Sequence, residues 1–278
     1  MENEFHHLNQ NLTSDLSNYV CLSEFRKPLF KLIIKSLDLP KGSKGLDAGC
    51  GIGFYTKILA KFIGSYGTVI GIDLSKGFIN YANKNQKPNT QFEEGDINSL
   101  QYKDNLFDWI WSADTVWPGP KELGCPNEDP YSIIKNFYRV LKPRGKLIIL
   151  YWTSQKFLPG YPLLEARLNT TLRATAPFIE GMNPNHHIMN AKHWLTNVGF
   201  KNVSAKTFLG DINVPLDDKT KNALHLFFEM LWGDSENQIF EKDWEEYKRI
   251  CDPDSSEYIL NNQHYYGFYT YTLFSGEK

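Results

Sequence analysis

The chain has 278 residues, 41% of them hydrophobic and 22% charged, with a formal net charge of −2 and a mean hydropathy of −0.43. That length makes one large domain or two small ones, able to bury a core without metal or disulfide staples. No apolar run of about 18 residues exists to span a membrane, and the start, Met-Glu-Asn-Glu-Phe-His-His, carries no signal-peptide pattern.

Cys21, Cys50, Cys125 and Cys251 lie 29, 75 and 126 positions apart. That spacing fits neither a zinc site nor a disulfide framework, so no metal and a cytoplasmic chain with free thiols are expected. Charge is uneven along the chain. Residues 213–278 hold 13 acidic and 6 basic side chains, a net of −7, leaving about +5 for the rest. An acidic C-terminal quarter argues against tracking nucleic-acid phosphates. Aromatic residues number 40, or 14%, and 13 of them fall in those last 66 positions.

In chain order, residues 1–20 are polar and Asn-rich and are expected to be mobile. Phe25, Leu29, Phe30, Leu32 and Ile33 predict a helix over 19–37 that stops before Pro40. Gly45-Leu46-Asp47-Ala48 ends a short strand, and after a glycine-rich turn residues 55–63 predict a helix. A β-branched run over 67–73 predicts a buried strand, 76–85 a helix, 90–94 a short strand and 107–113 another. A helix over 131–141 ends at Lys142-Pro143-Arg144-Gly145, and 146–152 reads as a buried strand. The alternation implies a parallel sheet with helices on both faces. It breaks over 154–189, with Pro159, Pro162, Pro177 and Pro184, then resumes with a helix near 191–198 and a strand near 203–209. A second irregular stretch, 215–262, is helical near 221–231 and 244–250, and 265–274 closes as a strand.

The strongest feature is Asp47-Ala48-Gly49-Cys50-Gly51-Ile52-Gly53 at the exit of the first strand. Glycines there let a ligand lie against backbone. A dinucleotide fingerprint needs glycine where Phe54 stands. Asp47 would repel a pyrophosphate but suits a ligand bearing an ammonium group. Asp73 ends the second strand, where an acidic residue accepts from ribose hydroxyls; alone it could merely cap the next helix. Asp96, in Gly95-Asp96-Ile97, can accept from an exocyclic amine or belong to a plain turn.

These three, with Phe137-Tyr138-Arg139-Val140-Leu141-Lys142-Pro143-Arg144-Gly145, resemble the class I S-adenosylmethionine-dependent methyltransferases over about 44–152. The small-molecule branch that includes the ubiquinone/menaquinone-type enzymes is the nearest match. Arg144 stands where a common form of the last motif has glycine. The resemblance implies that Asp47, Gly49, Cys50, Gly51 and Gly53 hold the methionine part of S-adenosylmethionine. It also implies Asp73 and Leu74 at the ribose, Asp96 and Ile97 at the adenine, and Ser112, Trp117 and Tyr19 along the same ligand.

The acceptor is then expected beyond the carboxyl ends of the strands. Asp114, beside the Trp117-Pro118-Gly119-Pro120 turn, could orient a nucleophile or take a proton, or be a solvated loop carboxylate. His186 and His187 are candidate bases in a loop, with an exposed pair as the competing reading. The fourth strand lacks the Asn/Asp-Pro-Pro-aromatic ending of amino-group nucleic-acid methyltransferases, and Cys125-Pro126 reverses the order a cytosine-attacking cysteine needs.

The expected fold is a doubly wound α/β domain of seven strands, six parallel and the last antiparallel. Residues 1–153 would form N-terminal helices and the cofactor-binding core, 190–214 its continuation and 263–278 the last strand. Residues 154–189 and 215–262 would be lid insertions. The expected activity is methyl transfer to a small apolar or aromatic molecule. The alternatives are a non-catalytic cofactor-binding scaffold or regulator, and a nicotinamide oxidoreductase, which Asp47 and Phe54 disfavour. The aromatics near 227–247 recur at helical spacing and suit lid core better than a substrate cage.

Overall fold

Seven strands form one sheet in the order β3-β2-β1-β4-β5-β7-β6 in the computed structural model, which describes residues 12–120, 125–176 and 178–278. They are β1 (Lys44–Ala48), β2 (Thr68–Asp73), β3 (Thr90–Glu94), β4 (Phe107–Ala113), β5 (Leu141–Lys156), β6 (Lys201–Asn213) and β7 (Tyr266–Glu277). Neighbours among β1 to β5 pair in parallel, while β7 runs antiparallel between β5 and β6. Six strands therefore point one way and β7 the other, as the alternation predicts.

Helices cover both faces: α1 (Leu12–Ser36), α2 (Phe54–Ile63), α3 (Lys76–Lys84), α4 (Pro130–Val140), α5 (Pro162–Leu168), α6 (Leu172–Thr175), α7 (Ala191–Val198), α8 (Asp218–Trp232) and α9 (Glu241–Cys251). Their starts follow local chemistry. The Ser75 hydroxyl accepts the Phe78 N–H to open α3, and Asp129 accepts the Tyr131 N–H to open α4 with Pro130 in its first turn. One core packs α1, α2, α8 and α9 on the sheet; the other packs α4 and α7. Along β5, Ile148 and Leu150 face the first core while Leu147 and Ile149 face the second. The β4–β5 register jumps from Phe107↔Leu141 to Trp109↔Lys146, so residues 142–145 loop out of the ladder. Arg144 takes φ 66 there.

The boundaries that depart most from the sequence reading are those of α1, β5 and β6. The helix starts at Leu12, not 19, so residues 12–20, expected to be mobile, are helical, and residues 1–11 lie outside the described residues. Residues 17–19 are exposed, which leaves that turn without an apolar stripe to read. β5 and β6 both outrun their apolar cores, because long pairing with β7 supplies hydrogen-bond partners where side chains are polar. Pro177 lies outside the described residues. Within 215–262 Phe227, Phe228, Trp232 and Tyr247 are buried, and only Phe240 of the stripe is well exposed, at 67%. That stripe is chiefly core.

Candidate active site

Chain order reverses across the sheet between β1 and β4, which makes their carboxyl ends the crevice of this topology. The 49–53 loop leaves β1 there. Gly49 and Cys50 both donate their N–H to Ile72 O, at 2.9 and 3.0 Å, which ties the loop to β2. The glycines do different work. At Gly49 (φ 79) a Cβ would collide with the Thr115 side chain, so close packing fixes that glycine. At Gly51 (φ 52) a Cβ would meet nothing within 4 Å: the space above its backbone is open. A flat, left-handed backbone under open space is what a ligand resting on main chain needs.

Asp73 faces this loop. One carboxylate oxygen accepts the Gly51 N–H at 2.8 Å and the other the Ser75 N–H at 2.9 Å, leaving lone pairs for a further donor. Burial raises its pKa, opposed by the Ser75 and Gly51 N–H groups. Leu74, next in line, is 63% exposed, an apolar side chain with nothing covering it at the mouth of the cleft. Tyr19 of α1 packs edge-on against Phe78 of α3, ring centres 4.6 Å apart, and so stands over the same end of β2. Asp47 lies beneath the loop, buried, accepting the Thr56 hydroxyl at 2.6 Å. Burial pushes its carboxyl up to about 7, with Thr56 opposing and Asp73 adding to the rise. Burial also raises the Cys50 thiol, which packs with Ile79, Ala82 and Phe92.

At the end of β3, Asp96 opens a short 3-10 turn over Ile97–Ser99, accepting from the Asn98 backbone and side-chain N–H groups, each at 2.8 Å. Ile97 is buried in the second core. Ser112, fully buried, donates to Ala48 O at 2.9 Å and clamps β4 to β1. Trp117 is half-buried in the loop after β4.

Asp114 follows β4 with φ 49, an unusual backbone state for a residue with a side chain. It accepts the Trp152 N–H at 3.0 Å through one oxygen, and Arg26 (3.2 Å) and the Tyr271 hydroxyl (2.6 Å) through the other. Its side chain is still 26% exposed. Burial raises the Asp114 carboxyl, opposed by Arg26, Tyr271 and the Trp152 N–H. Rings of Phe25, Trp152, Phe227 and Tyr269 pack beside the cluster, with Trp152 stacked on Tyr269 at 5.0 Å.

His186 and His187 stand elsewhere in the chain's packing. The His187 ring nitrogen Nδ1 accepts the Met189 N–H at 3.3 Å and caps the short turn Ile188–Asn190, whose Ile188 enters the second core. Burial lowers the His187 pKa and favours the neutral ring. His186 sits edge-on to Tyr131, 6.4 Å between ring centres.

Arg26, Tyr271 and Thr115 are not found by reading motifs. A signal for Arg26 does exist: it shares the apolar stripe of Leu22, Phe25, Leu29 and Ile33, a charge where the helix faces the core. The cavities of about 530 Å³ near Lys156, Pro162 and Phe268, and about 380 Å³ near Pro215 and Leu260, lie away from the 49–53 loop. Among the described residues there is no cluster of metal ligands, and no helix long and apolar enough to cross a membrane.

Residues 46–149 match the family described as a methyltransferase domain. A demethylmenaquinone methyltransferase of Staphylococcus carnosus is 31% identical over 226 residues, 74% of this chain and 89% of that one. The chain belongs to the class I S-adenosylmethionine-dependent methyltransferases, in the menaquinone-type branch. The methyltransferase also aligns with a demethylmenaquinone methyltransferase of Oceanobacillus iheyensis, 26% identical over 76% of this chain and 92% of that one. Its fold matches a phosphoethanolamine N-methyltransferase of Haemonchus contortus, solved with phosphomonomethylethanolamine and S-adenosylhomocysteine, at TM-score 0.56 and 15% identity over 100% of this chain and 60% of that one. A Bacillus halodurans methyltransferase structure aligns at TM-score 0.51 and 16% identity over 89% and 98%.

Proposed function

We propose that this methyltransferase acts on a small planar aromatic molecule carrying a ring hydroxyl, bound between the 49–53 loop and the aromatic cluster around Asp114. One observation carries the reading. The open space over Gly51 and the partly exposed Asp114 carboxylate stand at the ends of the adjacent strands β1 and β4.

The loop and its surroundings fit S-adenosylmethionine. Gly51 offers bare backbone, Asp73 free lone pairs for ribose hydroxyls, Leu74 an uncovered apolar face, and the buried Asp47 a carboxyl that the methionine ammonium would favour in its ionised form. Asp96, Ile97, Ser112 and Tyr19 complete the proposed set, with Cys50 and the flanking glycines shaping the loop. Trp117 is assigned to the boundary with the acceptor. When bound, the sulfonium supplies an activated methyl group and its own leaving group.

The protein's share is approach geometry and exclusion of water. Asp114 accepts the ring hydroxyl's hydrogen bond and holds the acceptor in line; as the hydroxyl acidifies, the same oxygen takes the proton. We place Asp114 rather than His186 or His187 at the acceptor, because it stands at a strand end in the crevice while the histidines belong to the 183–190 turns. Residues 154–189 and 215–262 serve as the lid, chiefly through α8, whose Phe227 meets Phe25 and Trp152. The relatives' name, demethylmenaquinone methyltransferase, supports a hydroxylated bicyclic ring. The acidic last quarter supports a small molecule over nucleic acid, and the free cysteines a cytoplasmic setting.

Release of S-adenosylhomocysteine, measured with 1,4-naphthalenediols, simple phenols and phosphoethanolamine as acceptors, tests this. Turnover with the naphthalenediols, and roughly 100-fold weaker donor binding by calorimetry in Asp73→Ala, are expected, since two charged hydrogen bonds and the ribose contact are lost together. Turnover with phosphoethanolamine alone sinks the acceptor reading.

A further inference from the structure

Helix α1 is two structures in one. In its second part Leu29, Phe30, Ile33 and Ile34 are all buried, at 6% exposure or less. Over 16–27 only Ser23 is buried. Pro28 stands at the boundary, inside the helix. Having no N–H, it cannot bond the Glu24 carbonyl, and the ladder between the two parts is weakened at that turn. The orientation of the first part is therefore set by what its side chains touch. Tyr19 meets Phe78, Phe25 meets Phe227 and Tyr269, and Arg26 meets Asp114 and Tyr271. Among the described residues, Arg26–Asp114 is the only ion pair joining α1 to another element.

We propose that Arg26 is a positioning residue, a latch by which the first part of α1 and the Asp114 carboxylate take up their working positions together. The inference rests on Asp114 facing the acceptor. Arg26 donates to Asp114 at 3.2 Å and to the Tyr271 hydroxyl at 2.9 Å, while Tyr271 itself donates to the same Asp114 oxygen. A closed triangle of donors around one oxygen fixes the carboxylate in two directions, and the Trp152 N–H fixes the other oxygen. Tyr55 of α2, with its hydroxyl beside Arg26 and Ser23 but without a hydrogen bond of good geometry, and Tyr151 of β5 are the remaining titratable groups facing Asp114. None of them is a second cation. Releasing Arg26 frees the helix and the carboxylate at once.

Hydrogen exchange over 16–27 and 29–36, with carbon-detected NMR titration of the Asp114 carboxyl, reads this in the free protein. Arg26→Gln and Asp114→Asn should each speed exchange over 16–27 about 10-fold, with 29–36 unchanged, as loss of one charged hydrogen-bonded pair would. The double variant should go no further than either single one, because both remove the same latch. Arg26→Lys should restore part of the protection, and Tyr271→Phe should give a smaller increase. In Arg26→Gln the Asp114 carboxyl should titrate at higher pH, since its cation is gone. Unchanged exchange over 16–27, an equal rise in both parts of the helix, additive single variants, or an unmoved Asp114 titration would each overturn the latch. No acceptor enters these measurements. If no acceptor is methylated while exchange and titration shift as stated, the acceptor reading falls and the latch stands.

Discussion

On the β1–β2 side of the cleft, Gly51 meets Asp73 across 22 positions of chain and Thr56 meets Asp47 across 9. On the β4–β7 side, Arg26 meets Asp114 across 88, Tyr271 meets Asp114 across 157, and Arg26 meets Tyr271 across 245. The heart of the donor side, the 49–53 loop with Asp73, is a local construction of one strand, one turn and the next strand end, to which Tyr19, Asp96 and Ser112 add from farther along the chain. The acceptor side exists only when the first helix, the middle of the sheet and the last strand have come together. Long-range contacts place acceptor recognition under the control of overall stability; local ones let donor binding change alone.

Four substitutions and one titration can break that contrast, and the first should be the largest. Trp232→Ala removes a fully buried indole from the core that backs the acceptor side. It should cost about 3–5 kcal/mol by denaturant unfolding, and a loss below about 1 kcal/mol would mean that this core does not support the fold as described. Gly51→Val puts a β-branched side chain at φ 52, into the open space of the loop. Donor affinity per folded molecule should fall about 100-fold or more by calorimetry, and the strained φ should lower Tm modestly. Gly49→Ala, two residues away, should do the reverse. Its Cβ meets Thr115 rather than open space, so stability should fall by about 1–3 kcal/mol while donor affinity per folded molecule falls less than in Gly51→Val.

The titration concerns Asp47, whose pKa rises from 3.8 to about 7 on folding. Between those values the folded chain holds more protons than the unfolded one, so stability should decline as pH rises from about 4 to about 7 and level off above. Asp47→Asn should flatten this part of the Tm–pH curve; an unaltered slope would place its origin elsewhere. Smallest of all, Phe240→Ser should shift stability by about 0.5 kcal/mol or less, because that ring is already in solvent.

The same contrast explains what could be read from the sequence. Strands β3 and β4 fall on the predicted residues, as does α7, because local periodicity and turn chemistry specify them. The glycine loop and Asp73 could be picked out for the same reason: their meaning lies within one strand–turn–strand span. The reach of β5 to Lys156 and of β6 to Asn213 could not, since the pairing partner β7 lies far along the chain. Asp114 was identifiable as a strand-end carboxylate, but its three donors come from α1, β5 and β7, and no window of sequence contains them together. Arg26 was visible only as an inconsistency, a charge on an apolar stripe.

The looped-out residues 142–145 work as a phase setting for half of the sheet. They separate Leu141, paired with Phe107, from Lys146, paired with Trp109. From Lys146 to Trp152 each β5 side chain takes its face from that count, and a second bulge resets it between Trp152 and Ser154. A change of length that the loop could not absorb would exchange Leu147 and Ile149 for Ile148 and Leu150 between the two cores, and would carry the β7 pairing with them. A chimera that borrows β4 or β5 from another methyltransferase must therefore carry this stretch at its own length. Its sequence is constrained as well as its length, since Arg144 takes a positive φ and a Cβ at Gly145 would press on the Lys142 carbonyl oxygen.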